Sequence, residues 1–270
     1  MADYDHKTGL STCDPSNIPD MVKIPDNWYE TFFQGINCEM WAKAGTPEWT
    51  NVEVAFILDV MDLPAGSKIL DIPCGTGRHS VMLSRQGFQM TSVDISVEFI
   101  SNLNKIVTAE HLPINVVGAN ILSVQLDDRY DGAFCFGNSF GYFKYEDMKI
   151  FVQKVASALK PAAKWIINSG LMAESFLARF IKEKTYELPG LTMQVNNDYD
   201  EWNSCLLTTL TYTKDNKQEA HQFKHHVYTV AEVIRLLNGY NLKTVALYNS
   251  TDKAIFHLDD PQVYLVAEKY

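Results

Sequence analysis

Between residues 66 and 170, short apolar runs alternate with amphipathic segments, and few architectures accommodate that rhythm. Lys68-Ile69-Leu70-Asp71-Ile72 has the length of a buried strand. It runs into the loop Cys74-Gly75-Thr76-Gly77, and a helix is predicted from His79 to Gln86, closed by Gly87. Phe88 to Val93 reads as a second strand ending at Asp94, and Ser96 is placed to cap a helix reaching about Thr108. Ile114–Val117 and Tyr130–Phe136 follow as strands. Glu146–Leu159 follows as a helix with apolar positions at Ile150, Val152, Val155 and Leu159, and Lys164–Ile167 as a further strand. Strands apolar on both faces must be covered on both faces, and a helix between each pair of parallel strands supplies that cover. The expectation is an α/β fold with a doubly wound, mostly parallel sheet.

Outside that stretch the pattern changes. Residues 1–25 are polar, carry Pro15, Pro19 and Pro25, and show no helical or strand period, which predicts a flexible arm. Trp28, Tyr29, Phe32, Phe33, Met40 and Trp41 then crowd apolar mass into a short segment that must cover either the core or a ligand. Thr50-Asn51-Val52-Glu53 has the capping-box pattern, with Val54, Ile57, Leu58 and Met61 following on one helical face. Beyond residue 170 the runs Thr192–Val195, Ser204–Thr213 and Gln218–Tyr228 read as strands, with Lys214-Asp215-Asn216-Lys217 as a hairpin turn. They predict an antiparallel β insertion at about 175–228, while the Glu and Lys alternation at 182–187 reads as a solvated face. Thr229-Val230-Ala231-Glu232 is a second capping box, opening a helix with Val233, Leu236 and Leu237 inward. Lys243–Leu247 and Gln262–Glu268 are the last strands.

Acidic residues outnumber basic ones 33 to 23, for a formal net charge of −10, and the basic residues are scattered. Such a surface repels phosphate backbones, so nucleic acid is not an expected partner. With no run of 18 apolar residues and no basic-then-apolar N-terminus, neither a membrane span nor a secretory signal is expected. The cysteines, Cys13, Cys38, Cys74, Cys135 and Cys205, are odd in number and share no metal-ligand spacing, so reduced thiols and a cytoplasmic location are the expectation.

The chemistry concentrates between Ile69 and His79. A strand, a tight glycine turn and a helix start bring backbone N–H groups close to a ligand. A Gly-x-Gly turn alone serves equally well as a structural joint. Asp94 shifts the balance: an acid ending the following strand is placed to accept hydrogen bonds from ribose hydroxyls. Ser80 stands where a dinucleotide fold has its third glycine, and no Gly-Lys-Ser/Thr follows, so neither that fold nor a P-loop is indicated. An acid just before the loop, Asp71, suits a ligand with an ammonium group and no phosphates.

Leu70-Asp71 through Gly77-Arg78-His79-Ser80 resembles motif I of the class I S-adenosylmethionine-dependent methyltransferases of small-molecule type, in the form LDxPCGTGRHS. Gly87 to Ser96 (GFQMTSVDIS) is similar to that family's second strand and ribose acid. Tyr130-Asp131 and Gly137-Asn138-Ser139-Phe140-Gly141-Tyr142-Phe143 are similar to its fourth-strand motif, and the resemblance extends from about Trp28 to the C-terminus. It implies a Rossmann-like seven-stranded sheet with an antiparallel last strand, a methyltransferase domain over 26–270, and S-adenosyl-L-methionine as cofactor. It implies that Asp71, Cys74, Gly75 and Gly77 lie near the methionine portion and that Asp94 holds the ribose, with Ile95 packing on the adenine. Asn120, with Ile121 beside it, stands where the family usually has an Asp on the adenine amino group. Gly137 and Asn138 would face the sulfonium and the acceptor. Segment 26–48, through Tyr29, Phe33 and Trp41, would cover the cofactor, and the β insertion would cover the substrate.

Gly137-Asn138-Ser139-Phe140 is also similar to the corresponding run of glycine and sarcosine N-methyltransferases, whose Asn helps hold an amino-acid substrate. The Arg those enzymes carry shortly after the fifth strand has no counterpart in Asn168-Ser169-Gly170-Leu171, and Arg179 is the nearest downstream. The resemblance implies an enzyme that methylates a small molecule, at the nitrogen of an amine or amino-acid-like acceptor, with Asn138 and Tyr142 as catalytic candidates. Two other readings stay open. One is a cyclase of the same fold, like azetidine-2-carboxylate synthase, in which the cofactor's amino group attacks its own chain and methylthioadenosine leaves. The other is a non-catalytic cofactor-binding protein. On a strand His221 and His225 would stand about 13 Å apart, and His225 and His226 point to opposite faces, so no metal site is expected. One of the three could serve as a general base. His79 is expected to cap or line its turn, and Cys74 to pack as a small buried residue.

Overall fold

The structure is a computed structural model that describes residues 24–188, 190–215 and 217–270. Three helices lead in: α1 (Tyr29–Phe32), α2 (Ile36–Ala44) and α3 (Pro47–Met61). There follow β1 (Lys68–Asp71), α4 (Arg78–Arg85), β2 (Gln89–Asp94), α5 (Val97–Glu110), β3 (Ile114–Gly118), β4 (Tyr130–Cys135), α6 (Tyr145–Ala158) and β5 (Leu159–Ser169). After α7 (Ala173–Phe176) come β6 (Glu183–Leu188), β7 (Leu191–Asp200), β8 (Cys205–Lys214) and β9 (Lys217–His226). The last elements are α8 (Val230–Asn238), β10 (Leu242–Tyr248) and β11 (Val263–Lys269).

Seven strands form one sheet in the order β10-β11-β5-β4-β1-β2-β3. β1 to β5 pair in parallel, and β11 runs antiparallel to both β5 and β10. Alternate residues of the central strands bury against opposite layers, as the two-faced apolar runs require. Leu70, Ala133, Cys135, Trp165 and Ile167 pack with Phe151 and Val155 of α6 and Leu237 of α8. Ile69, Phe134 and Ile166 pack with Val54, Ile57 and Val60 of α3 and Leu83 of α4. The strand order reverses beside β1, which has β4 on one side and β2 on the other, and open α/β sheets bind ligands in the crevice at that point.

Two helix starts follow their local signals. Ser96 caps α5 by accepting from Phe99 N–H, and Thr229 and Glu232 complete the reciprocal capping box of α8. The box expected at Thr50 does not form. α3 starts earlier, with Thr46 accepting from Trp49 N–H and Pro47 in the first turn, where its fixed φ costs nothing. Thr50 lies inside the helix with its hydroxyl donating to Thr46 O (2.8 Å), and Glu53 is drawn inward to Arg78 and His79. In α6 the apolar face is Met148, Phe151, Val152 and Val155; Ile150 is exposed, and Leu159 already belongs to β5.

The insertion is a separate four-stranded antiparallel sheet, β6-β7-β8-β9. The solvated stretch 182–187 proves to be mostly its edge strand, β6, where Glu183 to Glu187 are all exposed and leave no period to read. β8 alternates buried and half-buried residues, as expected for a sheet with one wet face. The arm expected over 1–25 falls outside the described residues except for Ile24 and Pro25. The described cysteines are free and buried. Among the described residues no helix is long and apolar enough to cross a membrane.

Candidate active site

A cavity opens at the carboxyl ends of β1, β2 and β4. Asp71 and Asp94 come from the ends of β1 and β2, Phe136 to Ser139 from the segment after β4, and Tyr29, Phe33, Trp41 and Trp49 from the leading helices. The loop after β1 is shaped by glycines in the left-handed region, Gly75 at φ +53° and Gly77 at φ +73°. A Cβ on Gly75, or on Gly137 in the facing loop, would meet nothing within 4 Å, so both bare α-carbons look into open space. Gly77 differs. It does not line the cavity, and a Cβ there would come within 2.6 Å of both Leu103 methyl carbons. Its place is the joint that starts α4 while letting the loop lie against α5.

Asp94 is almost completely buried, with one oxygen accepting from Gly75 N–H (2.7 Å) and the other from Ser96 N–H (2.8 Å). Each oxygen keeps acceptor capacity toward the cavity. Burial raises its pKa, against the pull of those N–H groups. Asp71 is 1% exposed and accepts from Ser80 Oγ (2.7 Å), which in turn accepts from Ser92 Oγ (2.7 Å). Burial pushes its pKa up to about 8, opposed by the Ser80 bond and the Arg78 charge.

The remaining expected residues also gather here. Cys74, Ile95, Asn120 and Ile121 line the cavity, with Cys74 buried as a packing residue. Asn120 turns its Oδ1 to Leu122 N–H (2.9 Å) and its Nδ2 to Glu30 (3.3 Å), tying the loop after β3 to α1. Asn138 sits at φ +65°, and its Oδ1 accepts from Gly170 N–H (2.6 Å) at the end of β5. That bond occupies one lone pair of the oxygen, and among the described residues no protein group takes Nδ2. Tyr142 stacks with Phe33 (ring centroids 6.1 Å) and meets Trp28 edge-on (5.0 Å), and burial raises its hydroxyl pKa.

One cluster went unread in the sequence. Arg78, following the glycine loop, lines the cavity together with His79. Its guanidinium pairs with Glu53 and donates to Thr50 Oγ1 (2.8 Å), and its stem lies so close to Gly45 that a Cβ there would reach 2.6 Å from Cδ. His79 Nε2 donates to Glu53 (2.9 Å). Burial lowers the His79 pKa against the pull of Glu53; burial works to raise that of Glu53, but the His79 and Arg78 interactions outweigh it. The signal was present as an Arg-His pair after Gly-x-Gly and a Glu facing inward on a helix, but the Glu was absorbed into a false capping box.

Other candidates lie elsewhere. His221 pairs with Glu219 (2.6 Å), His225 is buried under the segment after β4, and neither these nor His226 lines the cavity, so the general-base reading finds no support in their placement. Arg179 pairs with Asp259 (3.0 Å), apart from the cavity wall. No described residue of 175–228 lines the cavity; the insertion touches the loop after β4 through His225. Among the described residues no group of His, Cys, Asp and Glu side chains could hold a metal ion.

Residues 69–162 match a family described as a methyltransferase domain. Over 258 residues the chain is 24% identical to the glycine/sarcosine N-methyltransferase of Aphanothece halophytica, an alignment covering 93% of this chain and 94% of that protein. It is 26% identical over 225 residues to the glycine/sarcosine/dimethylglycine N-methyltransferase of Actinopolyspora halophila, which covers 80% of this chain and only 38% of that longer protein. Among solved structures, an S-adenosylmethionine-dependent methyltransferase from Clostridium acetobutylicum superposes with a TM-score of 0.73 at 15% identity, covering 85% of this chain and 94% of that one.

Proposed function

We propose that this chain, whose residues 69–162 match a methyltransferase domain, is a class I S-adenosylmethionine-dependent methyltransferase and that it methylates the nitrogen of a small amine or amino-acid-like acceptor. The cavity fits the cofactor. Asp94 is buried with unused lone pairs where a ribose diol needs acceptors. The α-carbons of Gly75 and Gly137 leave the space that side chains would fill. Asp71 supplies a carboxyl for the ammonium group, and the aromatic side chains of Tyr29, Trp41 and Tyr142 line the same cavity, a lining that suits a cation. Arg78 adds guanidinium N–H groups for a carboxylate in the same wall. When bound, the cofactor supplies a methyl group made electrophilic by its sulfonium.

The observation that carries the acceptor assignment is the one-sided use of Asn138. With Oδ1 accepting from Gly170 N–H and Nδ2 without a protein partner among the described residues, the side chain has a donor to offer the cavity. A donor suits an oxygen of the acceptor, such as a carboxylate or hydroxyl, and leaves the amine lone pair free to attack. The amine needs only to arrive neutral and aligned, so positioning among Asn138, Ser139 and Tyr142 accounts for most of the barrier reduction. Asn138 and Tyr142 are the residues we assign to that task, beneath the 26–48 segment. The two glycine/sarcosine N-methyltransferase relatives support nitrogen as the atom attacked. The test is a panel of amines, including glycine, sarcosine, amino sugars and aromatic amines, incubated with the enzyme and cofactor. One acceptor should gain a single methyl group on nitrogen with one S-adenosylhomocysteine released per turnover. Methylation confined to oxygen or carbon across the panel would overturn the assignment.

A further inference from the structure

The loop between β4 and α6, residues 136–144, presents Asn138, Ser139 and Tyr142 to the cavity. The main domain holds it through the Gly170 bond to Asn138 and the packing of Phe140 on Trp165 and Phe151; the insertion holds its backbone. Three carbonyls of the loop are taken by donors at the end of β9 and just beyond: Phe140 O by His225 Nε2 (3.0 Å), Gly141 O by His226 N–H (2.8 Å), and Phe143 O by Tyr228 OH (2.9 Å). The imidazole lies directly against Gly141. At φ +114° a Cβ on that residue would come within 2.4 Å of His225 Nε2 and 2.8 Å of His226 O. Tyr142 in turn meets the His225 ring edge-on, with centroids 5.5 Å apart. His225 is 1% exposed, and its other nitrogen, Nδ1, has no partner. A neutral ring with its proton on Nε2 satisfies the Phe140 carbonyl and buries only a bare lone pair at Nδ1, the less costly of the two groups to leave unmet.

The same strand holds the opposite wall. Phe223 packs on Trp28 (5.5 Å) and Phe32 (5.3 Å), and Lys224 Nζ donates to Ile24 O (3.0 Å) and pairs with Asp26. β9 thus braces both the leading helices and the acceptor loop without reaching the cavity itself.

We propose that His225 is a positioning residue: from the insertion sheet it fixes the 136–144 loop through the Phe140 carbonyl and so sets the geometry in which Asn138, Ser139 and Tyr142 meet the acceptor. This rests on the acceptor assignment made above, and gives the insertion a task other than covering substrate. A displacement of about 1 Å at a reacting group can cost around 100-fold in rate, so loss of one latch is expected to register in turnover before it registers in cofactor affinity.

The test compares His225→Phe, which keeps the ring and loses the donor, with His225→Gln, whose amide restores a donor at similar reach. Three quantities are read: amide hydrogen exchange across 137–143, turnover on an accepted amine, and S-adenosylhomocysteine affinity. His225→Phe should speed exchange in that loop roughly 10-fold or more. It should lower turnover about 10- to 100-fold and leave affinity within about 3-fold. His225→Gln should recover most of the loss. Parent-like exchange and turnover in His225→Phe overturn the proposal. So does a uniform loss of protection, affinity and turnover that Gln does not rescue, since that marks a purely structural residue. If His225→Phe fails to fold, Gly141→Ala strains the same contact from the loop side and must give the same signature; parent-like loop exchange there also overturns it. Should the parent enzyme methylate no amine, the functional reading fails, while the exchange measurements still decide the latch.

Discussion

Asp71 stores a cost that only a bound ligand can relieve, and replacing it by Asn should expose that cost as a pH dependence. The carboxyl is 1% exposed, with its pKa pushed from 3.8 to about 8 by burial, against the Ser80 bond and the Arg78 charge. Its folded-state pKa is raised, so its contribution to stability is complete below the unfolded pKa near 4 and is lost as pH climbs through the folded pKa near 8. Between those limits the unfolded chain has released the proton and the folded chain has not, at about 1.4 kcal/mol per pH unit. From pH 6 to pH 8, with the slope flattening near the upper end, the parent should lose roughly 2 kcal/mol more than the variant. Asn keeps the shape and can still accept from Ser80. The assay is urea unfolding of the ligand-free protein at pH 6, 7 and 8. The expected result is an Asp71→Asn variant whose advantage widens with pH and whose affinity for the ammonium-bearing cofactor is weakened, a trade of function for stability. Parallel stability profiles for parent and variant would refute the burial argument.

The other consequences concern single contacts. Asp94→Ala should weaken cofactor binding at least ~10-fold, since charge-assisted bonds to a diol are worth about 1.5–3 kcal/mol each; unchanged calorimetric affinity would remove the ribose assignment. Gly77→Ala should cost about 1–3 kcal/mol of unfolding free energy, because it forces a side chain at φ +73° into the Leu103 methyls; an unshifted denaturant midpoint would contradict that close approach. Asn138→Gly keeps the φ +65° backbone and removes the amide, so turnover should fall about 30- to 1000-fold with S-adenosylhomocysteine affinity within about 2-fold. A matching fall in both would make Asn138 a brace for Gly170 and nothing more.

The sheet was legible because its signals are local: apolar runs of strand length, glycine turns and the caps at Ser96 and Thr229 each name their own element. The site acids were legible for the same reason, since Asp71 and Asp94 end strands whose order in the fold places both at one crevice. What escaped the sequence depends on distant partners. Glu53 matched a capping box in sequence, but in the fold its carboxylate is claimed by Arg78 and His79, which lie on another helix. Gly77 looked like its neighbour Gly75, and only the Leu103 side chain separates their roles. Glu183 to Glu187 form an edge strand wet on both faces, which erases the period by which strands are recognised. His225 read as one of three histidines without metal-site geometry, any of which could serve as a general base, whereas its partner is a backbone carbonyl 85 residues away.

The central claim, that this site moves a methyl group onto nitrogen, is tested most directly by following the methyl carbon itself. The enzyme would be incubated with S-adenosylmethionine labelled with ¹³C in its methyl group and an accepted amine, and the label followed by NMR. The account predicts a new resonance at the shift and coupling of an N-methyl group, growing in step with S-adenosylhomocysteine. Label appearing on oxygen or carbon, or retained in methylthioadenosine while the amine stays unmodified, would contradict it.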